Sequence, residues 1–198
     1  MSARLSTADG SHPPAIKEVM VDFDKAFQVN TLGLPVCKSG QLQARDTDDA
    51  KKACSEAIVG SGNGEVEVQF EDSAPFTAKG PLVLFNGGVK GGVTTLFIHA
   101  YVNVPTPTAI VTAVKITRVA HSRFGLHAVA EIPEIAGGAG SVTGFRFKIK
   151  RTFSYRGEKK SFITASCPAG FLFASAQVQF TDGTTMKLGR AIHCTAQG

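Results

Sequence analysis

Most of the chain after Gly60 alternates between apolar and polar residues with a period of two. In GEVEVQF (64–70), valine and phenylalanine fall on one side and glutamate and glutamine on the other. This period is typical of half-buried β-strands. Two stretches, GPLVLFNGG (80–88) and TTLFIHAYVNV (94–104), are more continuously apolar, which favours central strands covered on both faces.

One segment departs from the strand pattern. In DTDDAKKACSEAI (46–58), alanines, Cys54 and an isoleucine recur at helical spacing on one side. Asp46 or Thr47 can cap its beginning, and Asp48 and Asp49 suit the positive end of a helix dipole. We therefore predict one short helix near residues 47–58.

About ten strands, glycine-rich turns and a single helix predict an all-β protein. The expected architecture is an antiparallel β-sandwich or jelly roll, with a closed β-barrel as the alternative. A length of 198 residues suits one domain. We expect residues 1–14 to form a flexible N-terminal tail and residues 15–198 to form a single β-sandwich domain.

The four cysteines are too far apart in sequence for the paired ligands of a structural zinc site or for a C-x-x-C redox motif. Cys54 lies on the inward side of the predicted helix, and Cys37 lies in the loop before it. We predict disulfides Cys37–Cys54 and Cys167–Cys194, which would imply an oxidising compartment. Four buried thiols in a cytosolic protein are the alternative. No metal ligand set and no cofactor motif is predicted.

The net charge of +5 and the pI of about 9.1 favour anionic partners, such as acidic glycans, lipid headgroups or nucleic acid. The 14 phenylalanines, with no tryptophan, indicate core filling. No apolar run approaches the roughly 20 residues of a transmembrane helix. The first residues lack the apolar region of a signal peptide. The chain is thus either cytosolic or the mature form of an exported protein with Met1 added.

Five stretches together resemble one protein family. They are GLPVC (33–37), ACSEAIVGSG (53–62), LVLFNGG (82–88), VTGFRFKIKRTFSYRGEKKSFITASCP (142–168) and a last strand ending in Cys194. As a set they resemble small exported proteins of high-GC Gram-positive soil bacteria. The resemblance implies export with a cleaved signal peptide and a single domain. The family has no assigned activity, so it supplies no site residues.

The first candidate site is a set of polar residues on two strands. His99 and Tyr101 share one strand face. Arg123 and His127 share a face of another strand, opposite an apolar set of Phe124, Leu126, Ala128, Ala130 and Ile132. If these strands are neighbours, the four residues line a cleft in which arginine neutralises a carboxylate and tyrosine or histidine moves a proton. The alternative is a solvated polar face.

The second candidate is a basic ribbon. Arg146, Lys148 and Lys150 alternate with apolar residues and so share one strand face, and further cations follow closely: Arg151, Arg156, Lys159 and Lys160. The ribbon is suited to an anionic polysaccharide or another cell-envelope component. Nucleic acid is disfavoured, because no aromatic residues alternate with these charges on the same face. The alternative is a solvated face that discourages edge pairing.

The sequence thus favours a secreted or cell-surface β-sandwich that binds an anionic polymer or envelope component. One alternative is a lyase-like enzyme acting on acidic polysaccharide through His99, Tyr101, Arg123 and His127. A second is a carrier that holds a hydrophobic ligand in a phenylalanine-lined cavity.

Overall fold

A computed structural model describes residues 1–103, 106–167 and 169–195. It contains one α-helix, α1 (Thr47–Ala53). The strands are β1 (Ser2–Arg4), β2 (Ile16–Asp24), β3 (Phe27–Val29), β4 (Ile58–Val68), β5 (Phe76–Lys90), β6 (Val93–Val102), β7 (Thr108–His121), β8 (Phe124–Glu131), β9 (Gly140–Ile149), β10 (Thr152–Tyr155), β11 (Glu158–Ser161), β12 (Ile163–Ala165), β13 (Phe171–Phe180) and β14 (Thr185–His193).

Ten of these strands form one antiparallel sheet in the order β1-β9-β4-β5-β6-β7-β8-β2-β13-β14. The sheet curls into a half-barrel and stays open, with β1 and β14 at its two edges. Two small sheets, β10–β11 and β12–β3, complete the fold. The all-β prediction is confirmed, and the alternative of a closed barrel is wrong.

One face of the sheet carries the larger core cluster, and we call it the core face. Its buried residues include Leu84 of β5, Leu96 of β6 and Leu126 of β8. Phe162, between the two small sheets, is buried in the same cluster, and Phe27 and Phe153 of these sheets pack against it. The small sheets therefore supply the second layer of a sandwich.

The opposite face, which we call the helix face, is covered in its middle by residues 37–57. Val83 and Phe85 of β5 are buried there against Leu42 and Ala50. Asp46 caps α1 by accepting a hydrogen bond from the backbone N–H of Asp49 at 2.8 Å. The predicted helix is thus present, although its last turn, Ser55–Ala57, is a 3₁₀ turn.

Both predicted disulfides are present. Cys37–Cys54 fastens the segment that covers the helix face, and both of its cysteines are buried. Cys167–Cys194 joins the residues that precede β13 and follow β14. Disulfides are typical of proteins that fold in an oxidising compartment.

Residues 1–14, expected to be a flexible tail, begin instead with an edge strand. β1 pairs with β9, and the amino group of Met1 donates a hydrogen bond to the carbonyl oxygen of Phe147 at 2.8 Å. The segment therefore extends the sheet beyond the predicted domain boundary at residue 15.

Candidate binding clefts

His99 is a core histidine. It lies on the helix face of β6 and is fully buried under the segment that carries α1. Its Nε2 lies 3.1 Å from the carbonyl oxygen of Arg45 and donates a hydrogen bond to it, whereas Nδ1 has no partner. Burial lowers the pKa of His99, against smaller opposing effects of the Arg45 hydrogen bond and the Asp46 charge. This histidine is therefore held neutral and away from any ligand.

The four residues of the first candidate site do not form one cleft. The strands of His99 and His127 are not neighbours, because β7 lies between β6 and β8. Arg123 lies in the turn between β7 and β8, where its guanidinium stacks 3.9 Å above the Phe173 ring. Tyr101 is half-buried at the end of β6. The arrangement expected of a lyase-like site is absent from the described residues.

The two cations of β9, and Lys150 directly after it, face as the alternation predicts. Phe147 and Ile149 pack against the core cluster, while Arg146, Lys148 and Lys150 are exposed on the helix face. Two of them, together with Arg151, line a cleft of about 350 Å³ whose other wall is residues 58–61 at the start of β4. We call this the cation cleft.

The basic side chains at the cation cleft differ in whether they have partners within the protein. Arg151 donates a hydrogen bond to the carbonyl oxygen of Glu56 at 3.1 Å and lies 3.5 Å from its carboxylate, while its Nε is buried without a partner. Arg146, Lys148 and Lys150 make no ion pair with any residue that the structure describes. The cleft therefore has an anchored arginine and two lysines with uncompensated charge.

The remainder of the predicted basic ribbon lies elsewhere. Arg156, Lys159 and Lys160 belong to the β10–β11 hairpin, which packs over the core face through Phe153. Lys160 pairs with Glu158 at 3.1 Å. Since Arg146, Lys148 and Lys150 point to the opposite face, the ribbon is two separate cationic surfaces.

A second cleft opens on the helix face near the other edge of the sheet. It measures about 410 Å³ and is lined by Asp22, Val119, Ala120, Phe124 and His127. Two register shifts create it, one between Arg118 and His121 on β7 and one between Phe23 and Asp24 on β2. β-bulges of this kind redirect side chains at functional sites. We call it the bulge cleft.

The bulge corrects one sequence prediction. Alternation placed Phe124 on the face of Leu126, opposite His127. Asp24 pairs with Phe124 and Phe23 with Leu126, so Gly125 is the extra residue and the alternation breaks there. Phe124 consequently lines the same cleft as His127, whereas Leu126 and Ala128 remain in the core.

His127 is oriented by a carboxylate from the neighbouring strand. Its Nδ1 lies 2.7 Å from Oδ1 of Asp22, its direct cross-strand partner. On the other side, the hydroxyl of Thr117 donates to the backbone carbonyl of His127 at 3.3 Å. About a third of the His127 side chain is exposed. The pair is therefore fixed in orientation and open to a ligand.

A third polar group joins residues far apart in sequence. His12 Nδ1 lies 2.8 Å from Oε1 of Glu67, and His12 Nε2 lies 3.2 Å from the hydroxyl of Ser141. The spacing is that of a serine–histidine–acid triad. However, Ser141 is buried and its hydroxyl donates to the carbonyl oxygen of Pro13 at 2.5 Å. The single proton of the serine hydroxyl is therefore directed at Pro13 and not at His12, so the group fastens residues 12–13 to the sheet.

Within the described ranges, no group of three or more histidine, cysteine, aspartate or glutamate side chains could hold a metal ion. No helix there is long and apolar enough to cross a membrane. Comparisons with protein-family models, with curated proteins and with solved structures found no match to this chain. The family resemblance of the sequence motifs stays a prediction.

Proposed function

We propose that this protein is an exported or cell-surface protein that binds an anionic polymer or envelope component through the cation cleft. The observation that supports this most directly is the convergence of Lys148, Lys150 and Arg151 on one cleft. The two lysines have no carboxylate partner among the described residues. Uncompensated cations beside a concave surface attract carboxylate, sulfate or phosphate groups.

A polymer suits this surface better than a small anion. The cations at 146 and 148 alternate along β9 and Lys150 directly follows its last residue, so neighbouring charges are spaced by about 7 Å. The cleft is also open to solvent along the strand, with Ser61 directly opposite Lys148. A chain with a regularly repeated anionic group can therefore contact several cations in succession.

The two disulfides support the exported location, since such bonds persist in oxidising surroundings. The carrier alternative finds less support. Phe23, Phe27, Phe147, Phe153 and Phe162 pack into the core cluster. Filling the core leaves these rings no role as the lining of a ligand cavity.

The experiment compares two triple variants that remove the same charge. One changes Arg146, Lys148 and Lys150 to glutamine, and the other changes Arg156, Lys159 and Lys160 to glutamine. On immobilised heparin and polygalacturonate, we expect the first variant to elute at clearly lower salt than the second. Each lost phosphate or carboxylate contact should also flatten the salt dependence of binding.

Equal shifts for the two variants would mean that retention follows net charge alone, and the proposed site would be wrong. Retention of the first variant at the wild-type salt concentration would also contradict the proposal. Circular dichroism and urea unfolding provide the folding control, because exposed substitutions typically change stability by less than about 0.5 kcal/mol.

A further inference from the structure

The bulge cleft has a chemistry different from that of the cation cleft. Val119, Ala120 and Phe124 give it an apolar wall, and the Asp22–His127 pair gives it one polar end. Its volume of about 410 Å³ is in the usual range of small-molecule sites. Among the residues that the structure describes, none of those that line this cleft is a lysine or arginine, so an anionic polymer would find no counter-charge there.

The polar end presents one defined hydrogen-bonding group. A carboxylate oxygen only accepts, so at 2.7 Å Nδ1 of His127 carries the proton and donates it to Asp22. In the neutral ring, Nε2 then keeps its lone pair and acts as an acceptor. Nε2 has no hydrogen-bond partner among the described residues.

We infer that the bulge cleft binds a small neutral ligand that has an apolar ring and one hydroxyl group, such as a phenol. The hydroxyl donates to Nε2 of His127, and the ring lies against Phe124 and the Val119–Ala120 wall. The Asp22 carboxylate disfavours an anion at the same position. Asp22 is a positioning residue, since it acts on the ligand through the imidazole.

The first test uses the wild-type protein and three probes of similar shape: p-cresol, 4-methylanisole and 4-methylbenzylamine. In NMR titrations, p-cresol should shift the His127 and Phe124 resonances saturably. The methyl ether lacks the donor, and we expect it to bind about tenfold more weakly, the value of one net hydrogen bond. Equal binding of the two would overturn the assignment of Nε2. Tighter binding of the amine would mean that Asp22 is the anchor and that the ligand is a cation.

The second test uses variants. His127→Leu should lose the preference for cresol over its ether while retaining weak binding of both, and Phe124→Ala should weaken both equally. His193→Leu, an exposed histidine outside the cleft lining, is the matched control and should leave all affinities unchanged. An unaltered cresol preference in His127→Leu would contradict the inference.

The third test does not depend on how a variant folds. Long-range ¹H–¹⁵N spectra of the wild-type imidazole should show the Nδ1–H tautomer of His127 at neutral pH. A predominant Nε2–H tautomer would overturn the inference, since the cleft would then offer a donor to its ligand. In a separate measurement on a variant, Asp22→Asn should increase the Nε2–H population and reduce the cresol preference.

Discussion

The cation cleft and the bulge cleft open on the same face of one sheet, on either side of the segment that carries α1. The first places two unpaired lysines beside an anchored arginine. The second pairs its histidine with an aspartate and surrounds the pair with apolar side chains. In the cation cleft, the positive charges of the lysines are unpaired. In the bulge cleft, the negative charge of Asp22 is paired with Nδ1 of His127 and orients its ring. The comparison shows that one face of the sheet presents two clefts of different chemistry.

The largest expected effect tests the strand phase on which the cation cleft depends. Phe147 packs against the core cluster, and Lys148 beside it is exposed. Phe147→Ala should cost about 3 kcal/mol, the lower end for such a change because the ring is only partly buried. Lys148→Gln should cost less than about 0.5 kcal/mol. Urea unfolding of both variants measures the contrast, and a reversed order would show that β9 presents the opposite face.

Removing the Cys37–Cys54 disulfide should affect the two clefts unequally. The double variant Cys37→Ala/Cys54→Ala should lose about 3 kcal/mol of stability for a loop of this length. The wall of the cation cleft begins at Ile58, just after this segment, so polyanion retention should weaken. Cresol binding at the bulge cleft should not change. Equal losses at both clefts would indicate that the covering segment supports the whole face.

Gly125→Ala should disrupt the bulge cleft and leave the cation cleft intact, the reverse of the disulfide variant. A Cβ atom at Gly125 would lie 2.7 Å from the Cα of Lys25, so the bulge must shift. We expect a cost of about 1–3 kcal/mol, loss of cresol binding and normal polyanion retention. Gly189→Ala is the control, because its Cβ would meet no atom within 4 Å. Intact cresol binding in Gly125→Ala would mean that the bulge does not build the cleft.

The smallest expected effect is a pH dependence of stability that arises from His99, which is buried in the covered middle of the helix face. Because burial lowers the pKa of His99 from its ordinary 6.5, its neutral form stabilises the fold fully above that pH. Below it, the unfolded chain binds a proton that the folded chain does not, and stability falls. Unfolding curves at about pH 7.5 and pH 5 should show a larger loss for the wild type than for His99→Gln. Parallel losses would mean that His99 is reached by solvent.

Regular alternation accounts for what the sequence predicts correctly. The phase of β9 follows from Phe147 and Ile149 alternating with lysines, and α1 follows from its aspartate cap and alanine spacing. The pairing of Cys37 with Cys54 is local, so the helix position was sufficient to predict it.

What the sequence does not reveal depends on long-range register. A glycine within a strand pattern, such as Gly125, can mark a bulge, but a period of two continued through it assigns Phe124 to the wrong face. The contact between His12 and Ser141 spans 129 residues, and the Asp22–His127 pair spans 105. The burial of His99 cannot be read from the sequence for a related reason, because a polar residue on a strand face gives no sign that a distant segment covers it.

The most direct test of the two-site account is an NMR titration of the wild-type protein with an acidic oligosaccharide, such as a galacturonic acid hexamer. We expect saturable shifts at Gly60, Ser61, Lys148 and Lys150 that weaken with added salt, and no shift at Phe124 or His127. Saturable shifts centred on His127 would contradict the assignment of the anionic ligand to the cation cleft. Salt-independent shifts spread equally over the β10–β11 hairpin and the cation cleft would contradict it as well.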